Sequence, residues 1–124
     1  MSYDHSNIFA RMLRGEVPAR VIFENDYVFA FHDIFPRAPI HALLIPKGAY
    51  MNAYDFQTHA STDEIVGFYR GLSQTIDRLG IKDSGFRLVS NTGVHAHQEV
   101  PHFHVHILGG AILGSLPTFL NATP

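Results

Sequence analysis

The chain contains no cysteine. Disulfides, thiol nucleophiles and cysteine-rich zinc sites are excluded together. It also lacks an excess of basic charge. Lys and Arg number 9 against 11 Asp and Glu, a formal charge of −2 with histidines neutral. A general nucleic-acid binder needs a cationic footprint to neutralise phosphates, so no nucleic-acid partner is expected. Apolar runs such as Ala42-Leu43-Leu44-Ile45-Pro46 are far too short for a bilayer span, which takes about 20 residues. The opening Met1-Ser2-Tyr3-Asp4-His5 has neither the basic region nor the apolar run of a secretory signal. A cytoplasmic protein without a membrane partner is expected. Internal repeats, low-complexity tracts and linkers are absent too. What remains is a 124-residue chain, 46% apolar and 16% charged, the profile of one globular domain with its own core.

Hydrophobic spacing predicts the elements. Ile8, Phe9, Met12 and Leu13 fall on one face of a short helix, with Ser6 placed to cap its start and Gly15 its end. Val21-Ile22-Phe23 and Tyr27-Val28-Phe29-Ala30-Phe31 flank Glu24-Asn25-Asp26 as a β-hairpin. Residues 41–45 read as a third strand, 86–90 as a fourth and 101–108 as a fifth. Ser61 and Glu64 form a capping box for a long helix. Its stripe is Ile65, Phe68, Leu72, Ile76 and Leu79, and Gly80 closes it. Residues 48–60 show no period and read as irregular, and residues 121–124 are expected to fray. The sum is an α+β fold: a mostly antiparallel five-stranded sheet with two helices.

The unusual number is nine histidines. In Pro101-His102-Phe103-His104-Val105-His106-Ile107-Leu108 imidazoles alternate with apolar side chains. Strand period therefore puts His102, His104 and His106 on one face and Phe103, Val105 and Ile107 on the other. Three readings stand. The imidazoles can be structural, each hydrogen-bonded, though three in a row would repel one another when protonated. They can hold a metal, since histidines two apart reach zinc at about 2.0–2.1 Å. The outer pair, however, is separated by roughly 13 Å of strand. Or they can act covalently on phosphorus. With a pKa near 6.5, roughly three quarters of an imidazole is neutral and nucleophilic at pH 7. A protonated neighbour can then stabilise phosphoryl charge and supply a proton.

The run His102 to Leu108 matches at every position the His-φ-His-φ-His-φ-φ mark (φ apolar) of the histidine-triad, or HIT, superfamily, and the chain resembles it well beyond that. Ile8-Phe9, Glu16-Val17-Pro18-Ala19, Phe23-Glu24-Asn25-Asp26, Ala30-Phe31-His32-Asp33-Ile34, Ala38-Pro39-Ile40-His41 and Ile45-Pro46-Lys47, with Asn91 and Gln98, are similar to the Hint branch of nucleoside phosphoramidases. The resemblance implies a HIT-like fold, a single HIT domain over residues 1–124, and hydrolysis of purine nucleoside 5′-phosphoramidates without a cofactor. It implies His104 as nucleophile, His106 at the phosphoryl oxygens, and His102 with His41 in support. Asp33 is implied to bind the ribose hydroxyls, and Phe9, Met12, Phe31, His32 and Ile34 the base. Asn91, Gln98 and Glu99 are placed on the phosphate and leaving-group side. A purine nucleotide substrate and a homodimer with a ten-stranded sheet follow from the same resemblance.

Three positions depart from that pattern. His97 stands where Gly is usual, Glu99 where Ser is common in animal Hint proteins, and Ala111 where Arg is frequent; residues 111–124 form a divergent tail. A carboxylate at residue 99, beside the phosphate, repels an anionic substrate or instead pairs with a cationic amine leaving group. Two alternatives accompany the leading reading. One is a dinucleoside polyphosphate hydrolase or nucleotidyl transferase. The other is a nucleotide- or zinc-binding module, for which His95 and His97 beside the triad are the supporting feature.

Overall fold

Alternating apolar side chains build one five-stranded antiparallel sheet in the computed structural model, which describes residues 2–115. The strands are β1 (Val21–Glu24), β2 (Val28–His32), β3 (Ile40–Pro46), β4 (Phe86–Val89) and β5 (Val105–Gly109). Their order in space is β1-β2-β3-β5-β4, so the last strand enters between β3 and β4. The β1–β2 turn is closed by Asn25, whose side-chain oxygen accepts from the backbone N–H groups of Tyr27 and Val28.

The central strands are buried on both faces. Val28, Ala30, Ala42 and Leu44 point into one cluster with Phe68, Leu72 and Ile76 of α3 (Thr62–Leu79). Phe29, Phe31, Leu43 and Ile45 point the other way and pack with Phe9 of α1 (Ile8–Leu13). Double burial is why β2 and β3 read as near-continuous apolar runs. The helix α3 carries the predicted capping box, with Ser61 Oγ accepting from Glu64 N–H and the Glu64 carboxylate accepting from Ser61 N–H. It lies so close to β2 that a Cβ on Gly71 would stand 2.5 Å from a Val28 methyl.

Three local expectations change. Residues 48–60 contain a third helix, α2 (Ala53–His59), capped by Asn52 and anchored by Phe56, which stacks on Phe103 at 5.0 Å. Two turns with one buried anchor are too short to show a period. The cap of α1 is Asn7 rather than Ser6, because Asn7 Oδ1 accepts from Ala10 N–H while Ser6 Oγ donates to Asp4. Finally, β5 begins at Val105 and not at residue 101. Its pairing with β3 ends at Leu44 and Val105, because the next partners are taken. Phe103 N–H donates to Tyr50 O, and the carbonyl of Pro46 accepts from the His102 imidazole. The expected fraying of residues 121–124 lies outside the described residues.

The close approach of α3 to β2 makes Gly71 sensitive to volume. Gly71→Val should lower unfolding free energy by about 2–3 kcal/mol through overpacking against Val28. Urea denaturation measures this, and an unchanged midpoint would show that α3 can retreat from β2 without penalty.

Candidate active site

The alternation seen in the sequence continues through the unpaired residues 101–104. Phe103, Val105 and Ile107 enter the α3-side core. His102 and His104 turn to the α1 side, where both rings meet the Phe9 ring edge-on. His106, opposite Leu43 of β3, lies beside His104 with ring centres 5.2 Å apart. These side chains stand at or beneath a cleft of about 640 Å³ walled by α1, the β2 end and the loop of residues 91–100.

What each ring nitrogen meets fixes where its proton sits, since a neutral imidazole donates from one nitrogen and accepts at the other. His104 Nδ1 lies 2.7 Å from the carbonyl oxygen of His102. A carbonyl only accepts, so Nδ1 carries the hydrogen and Nε2 keeps a free lone pair. His102 Nε2 donates to Pro46 O at 2.9 Å, and its Nδ1 accepts from the Tyr3 hydroxyl at 2.5 Å. His41 Nδ1 accepts the backbone N–H of Arg37 at 3.0 Å. Its Nε2–H therefore points to His106 Nδ1 at 2.9 Å, with Asp33 Oδ2 at 3.4 Å. His106 Nδ1 thus accepts, and Nε2–H is its free donor.

Burial favours the neutral forms throughout. It is the main cause that drives His102 and His106 down to about 4, with the neighbouring imidazoles adding to the effect. It also holds His104 and His41 below the ordinary histidine value, against the field of Asp33. Mutual repulsion, a concern for three adjacent imidazoles, therefore does not arise at pH 7. His106 is presented as a neutral N–H donor rather than as an imidazolium.

Of the residues singled out in the sequence, Phe9, Met12, Phe31, His32, Asp33, Ile34, Asn91, Glu99, His104 and His106 line the cleft. His41 and His102 lie behind it, both buried. Gln98 does not line it. Its Oε1 accepts from Gly93 N–H and its Nε2 donates to the carbonyls of Met51 and Val100, so it braces the loop of residues 91–100. Phe9 and Phe31 serve as core and wall at once, 6% and 2% exposed with rings 5.4 Å apart.

Sequence reasoning missed Arg20, Phe35 and Arg37 on the rim, and Tyr3 and Asn7 beneath it. A signal existed for Phe35: Asp33 followed by Pro36 is a turn pattern, and Asp33 Oδ1 accepts from Phe35 N–H. Asn7 stood directly before the helix, where Asn is a favoured cap; Tyr3 carried no comparable pattern.

Metal ligation was the competing use of these histidines. Among the described residues, Asp33, His41 and His106 are the only group of three whose donor atoms gather, within 4.8 Å of one another. The set does not fit an ion. Ligation by His41 Nε2 would move its proton to Nδ1, against the Arg37 N–H that now donates there. His95 is exposed and outside the cleft lining; His97 stands at the cleft mouth with φ 58°, its Nε2 3.5 Å from Glu99.

An antiparallel sheet that carries three alternating imidazoles, two lining a cleft beside a short N-terminal helix and one behind it, defines a class. The chain belongs to the HIT domain family, which it matches over residues 14–112. An uncharacterized 13.2 kDa HIT-like protein of Azospirillum brasilense is 45% identical over 94% of this chain and 96% of that one. The purine nucleoside phosphoramidase of Escherichia coli K12 is 37% identical over 88% of this chain and 91% of its own length. Among solved structures, a HIT family hydrolase from Clostridium thermocellum superposes with a TM-score of 0.83 at 32% identity, covering 91% of this chain and 97% of that one.

Neutral burial has a pH signature. Well above about pH 6.5 folded and unfolded histidines are both neutral and stability is full; the loss sets in as pH falls through about 6.5, where the unfolded chain begins to bind protons. As pH falls toward 4 the unfolded chain binds protons that folded His102 and His106 refuse, so stability is lost in that window. For fully buried His102 the loss between pH 7.5 and 4.5 should be roughly 2–3 kcal/mol. Urea unfolding at the two pH values measures it, and a flat profile would mean that these histidines titrate normally in the folded protein.

Proposed function

We propose that the protein hydrolyses purine nucleoside 5′-phosphoramidates, or related nucleotidyl conjugates, through a covalent nucleotidyl-histidine intermediate. The observation that carries this is the state of His104: Nδ1–H is held by the His102 carbonyl, burial keeps the ring neutral, and the ring borders the cleft. Such an imidazole is a ready nucleophile at Nε2. The 37% identity with the E. coli purine nucleoside phosphoramidase supports the substrate class.

In the first step His104 Nε2 forms a bond to the α-phosphorus while the bond from phosphorus to the amine breaks. The departing amine takes a proton from water at the open mouth. His106 Nε2–H donates to a phosphoryl oxygen, and His41 holds it through Nδ1. In the second step water adds to phosphorus, loses a proton to solvent, and the phosphorus–Nε2 bond breaks to release the nucleoside monophosphate. A cleft of about 640 Å³ has the size of a nucleotide site. Phe9, Met12, Phe31, His32 and Ile34 flank the base, and Asp33 Oδ2 accepts from ribose hydroxyls. Asn91 and Glu99 stand on the leaving-group side, with Gln98 supporting their loop. The edge strand β4, with Phe86 and Leu88 exposed, favours a homodimer that continues the sheet.

Glu99 favours an amine over a polyphosphate as leaving group, since its carboxylate lines the cleft and its field reaches His104. Glu99→Gln should raise kcat/KM for a dinucleoside polyphosphate relative to a phosphoramidate by about fivefold, the scale of one exposed charge contact. An unchanged ratio would remove Glu99 from leaving-group selection.

The deciding experiment is release of AMP from adenosine 5′-monophosphoramidate by the wild type and by His104→Ala, with chelator present. Turnover by the wild type and a loss of several orders of magnitude in the variant is expected, because His106, the imidazole beside it, presents Nε2–H and not a lone pair to the cleft. Equal rates would overturn the role of His104. Nucleotide binding without wild-type turnover would instead favour a binding module.

A further inference from the structure

The mechanism above uses the cleft, yet the most tightly bonded imidazole, His102, does not line it. Its ring is held at both nitrogens, by Pro46 O at Nε2 and by the Tyr3 hydroxyl at Nδ1. Tyr3 comes from the far end of the chain, 99 residues away. The hydroxyl also accepts from Asn7 Nδ2 at 2.8 Å, which leaves its own hydrogen for His102. Asn7 is 7% exposed and in turn caps α1 through Oδ1. Arg14 Nη1 ties the same segment down by donating to His5 O. The result is a continuous series of directed bonds: Asn7 to Tyr3, Tyr3 to His102, and His104 Nδ1–H to the His102 carbonyl.

We infer that Tyr3 is a positioning residue for the reaction: its hydroxyl locks the His102 ring, and His102 presents the carbonyl that aims His104. The inference rests on the reading of His104 as nucleophile. His102 is not on a ladder strand, since β5 begins only at Val105. Its backbone therefore lacks the β3 pairing that fixes His106; its two peptides are held by His102 N–H to Val100 O and Phe103 N–H to Tyr50 O, and the bonds to Pro46 O and Tyr3 fix the ring. Without the Tyr3 hydroxyl, His102 Nδ1 becomes a buried acceptor with no donor, and Asn7 Nδ2 loses a partner. Both changes loosen the residue on which His104 leans. Burial keeps the Tyr3 phenol protonated, its value raised above the ordinary one, so the donor persists across neutral pH.

Tyr3→Phe keeps the ring and its edge contact with His102 and removes only the hydroxyl. With adenosine 5′-monophosphoramidate, kcat should fall roughly tenfold, the rate equivalent of about one buried hydrogen bond. KM should hold within about twofold, because neither Tyr3 nor His102 lines the cleft. The imidazole 15N spectrum gives a readout independent of turnover. In the wild type His102 should be the Nε2–H tautomer with a hydrogen-bonded Nδ1. In the variant the Nδ1 resonance should move toward that of an acceptor nitrogen without a donor. Unchanged kcat, a loss confined to KM, or an unmoved Nδ1 resonance would each overturn the inference and leave Tyr3 as an anchor of the N-terminal segment. Should Tyr3→Phe fail to fold, the wild-type spectrum decides: a slowly exchanging Tyr3 hydroxyl proton in contact with the His102 ring supports the clamp, and its absence refutes it. If the wild type does not turn over the phosphoramidate, the proposed function falls, and the spectra alone decide the clamp.

Discussion

The hydrogen bond from His104 Nδ1 to the carbonyl oxygen of His102 determines which nitrogen of the central imidazole is left with a free lone pair. Everything around the cleft depends on that choice of tautomer. The bond is possible because residues 101–104 stay out of the ladder: a carbonyl engaged by β3 would have less capacity for a side chain two residues on. The ladder stops where it does because Pro46 gives its carbonyl to the His102 ring and Tyr50 receives the N–H of Phe103. One local interruption of β-pairing thus leaves free the acceptor that orients His104, while Phe9 of α1 packs edge-on against the buried ring.

Burial and hydrogen bonding act together on the other imidazoles. His41 accepts a backbone N–H at Nδ1 and so has to donate from Nε2, which in turn makes His106 an acceptor at Nδ1 and a donor at Nε2. The protonation pattern is set from the main chain outward, starting at Arg37. Desolvation then removes the imidazolium alternative, holding His102 and His106 near 4. The same pattern disfavours metal binding at Asp33, His41 and His106, because the nitrogen nearest the other donors already carries a proton.

Much of the fold was legible. Apolar runs marked β1, β2 and β3, alternation marked β5, and helical spacing marked α1 and α3, since those segments bury enough apolar surface to leave a pattern. The helix α2 was not legible, because Phe56 is its one buried residue and a single anchor has no period. The start of β5 was misplaced for a different reason. His102-Phe103-His104 keeps the side-chain alternation of a strand without its hydrogen bonds, and sequence pattern reports only the former. Gln98 shared a motif with the cleft residues, yet its amide is used up on two backbone groups of its own loop, at Gly93 and Val100, and on the carbonyl of Met51.

The sequence by itself determined the alternation that puts three imidazoles opposite Phe103, Val105 and Ile107. It did so because strand geometry is local and side chains two apart share a face. Only the tertiary structure decided which nitrogen of each ring carries its proton, and that His102 serves from behind the cleft. Those outcomes depend on partners such as Arg37, Pro46 and Tyr3, distant or patternless in sequence. A tautomer is chosen by the donor or acceptor that folding brings to the ring.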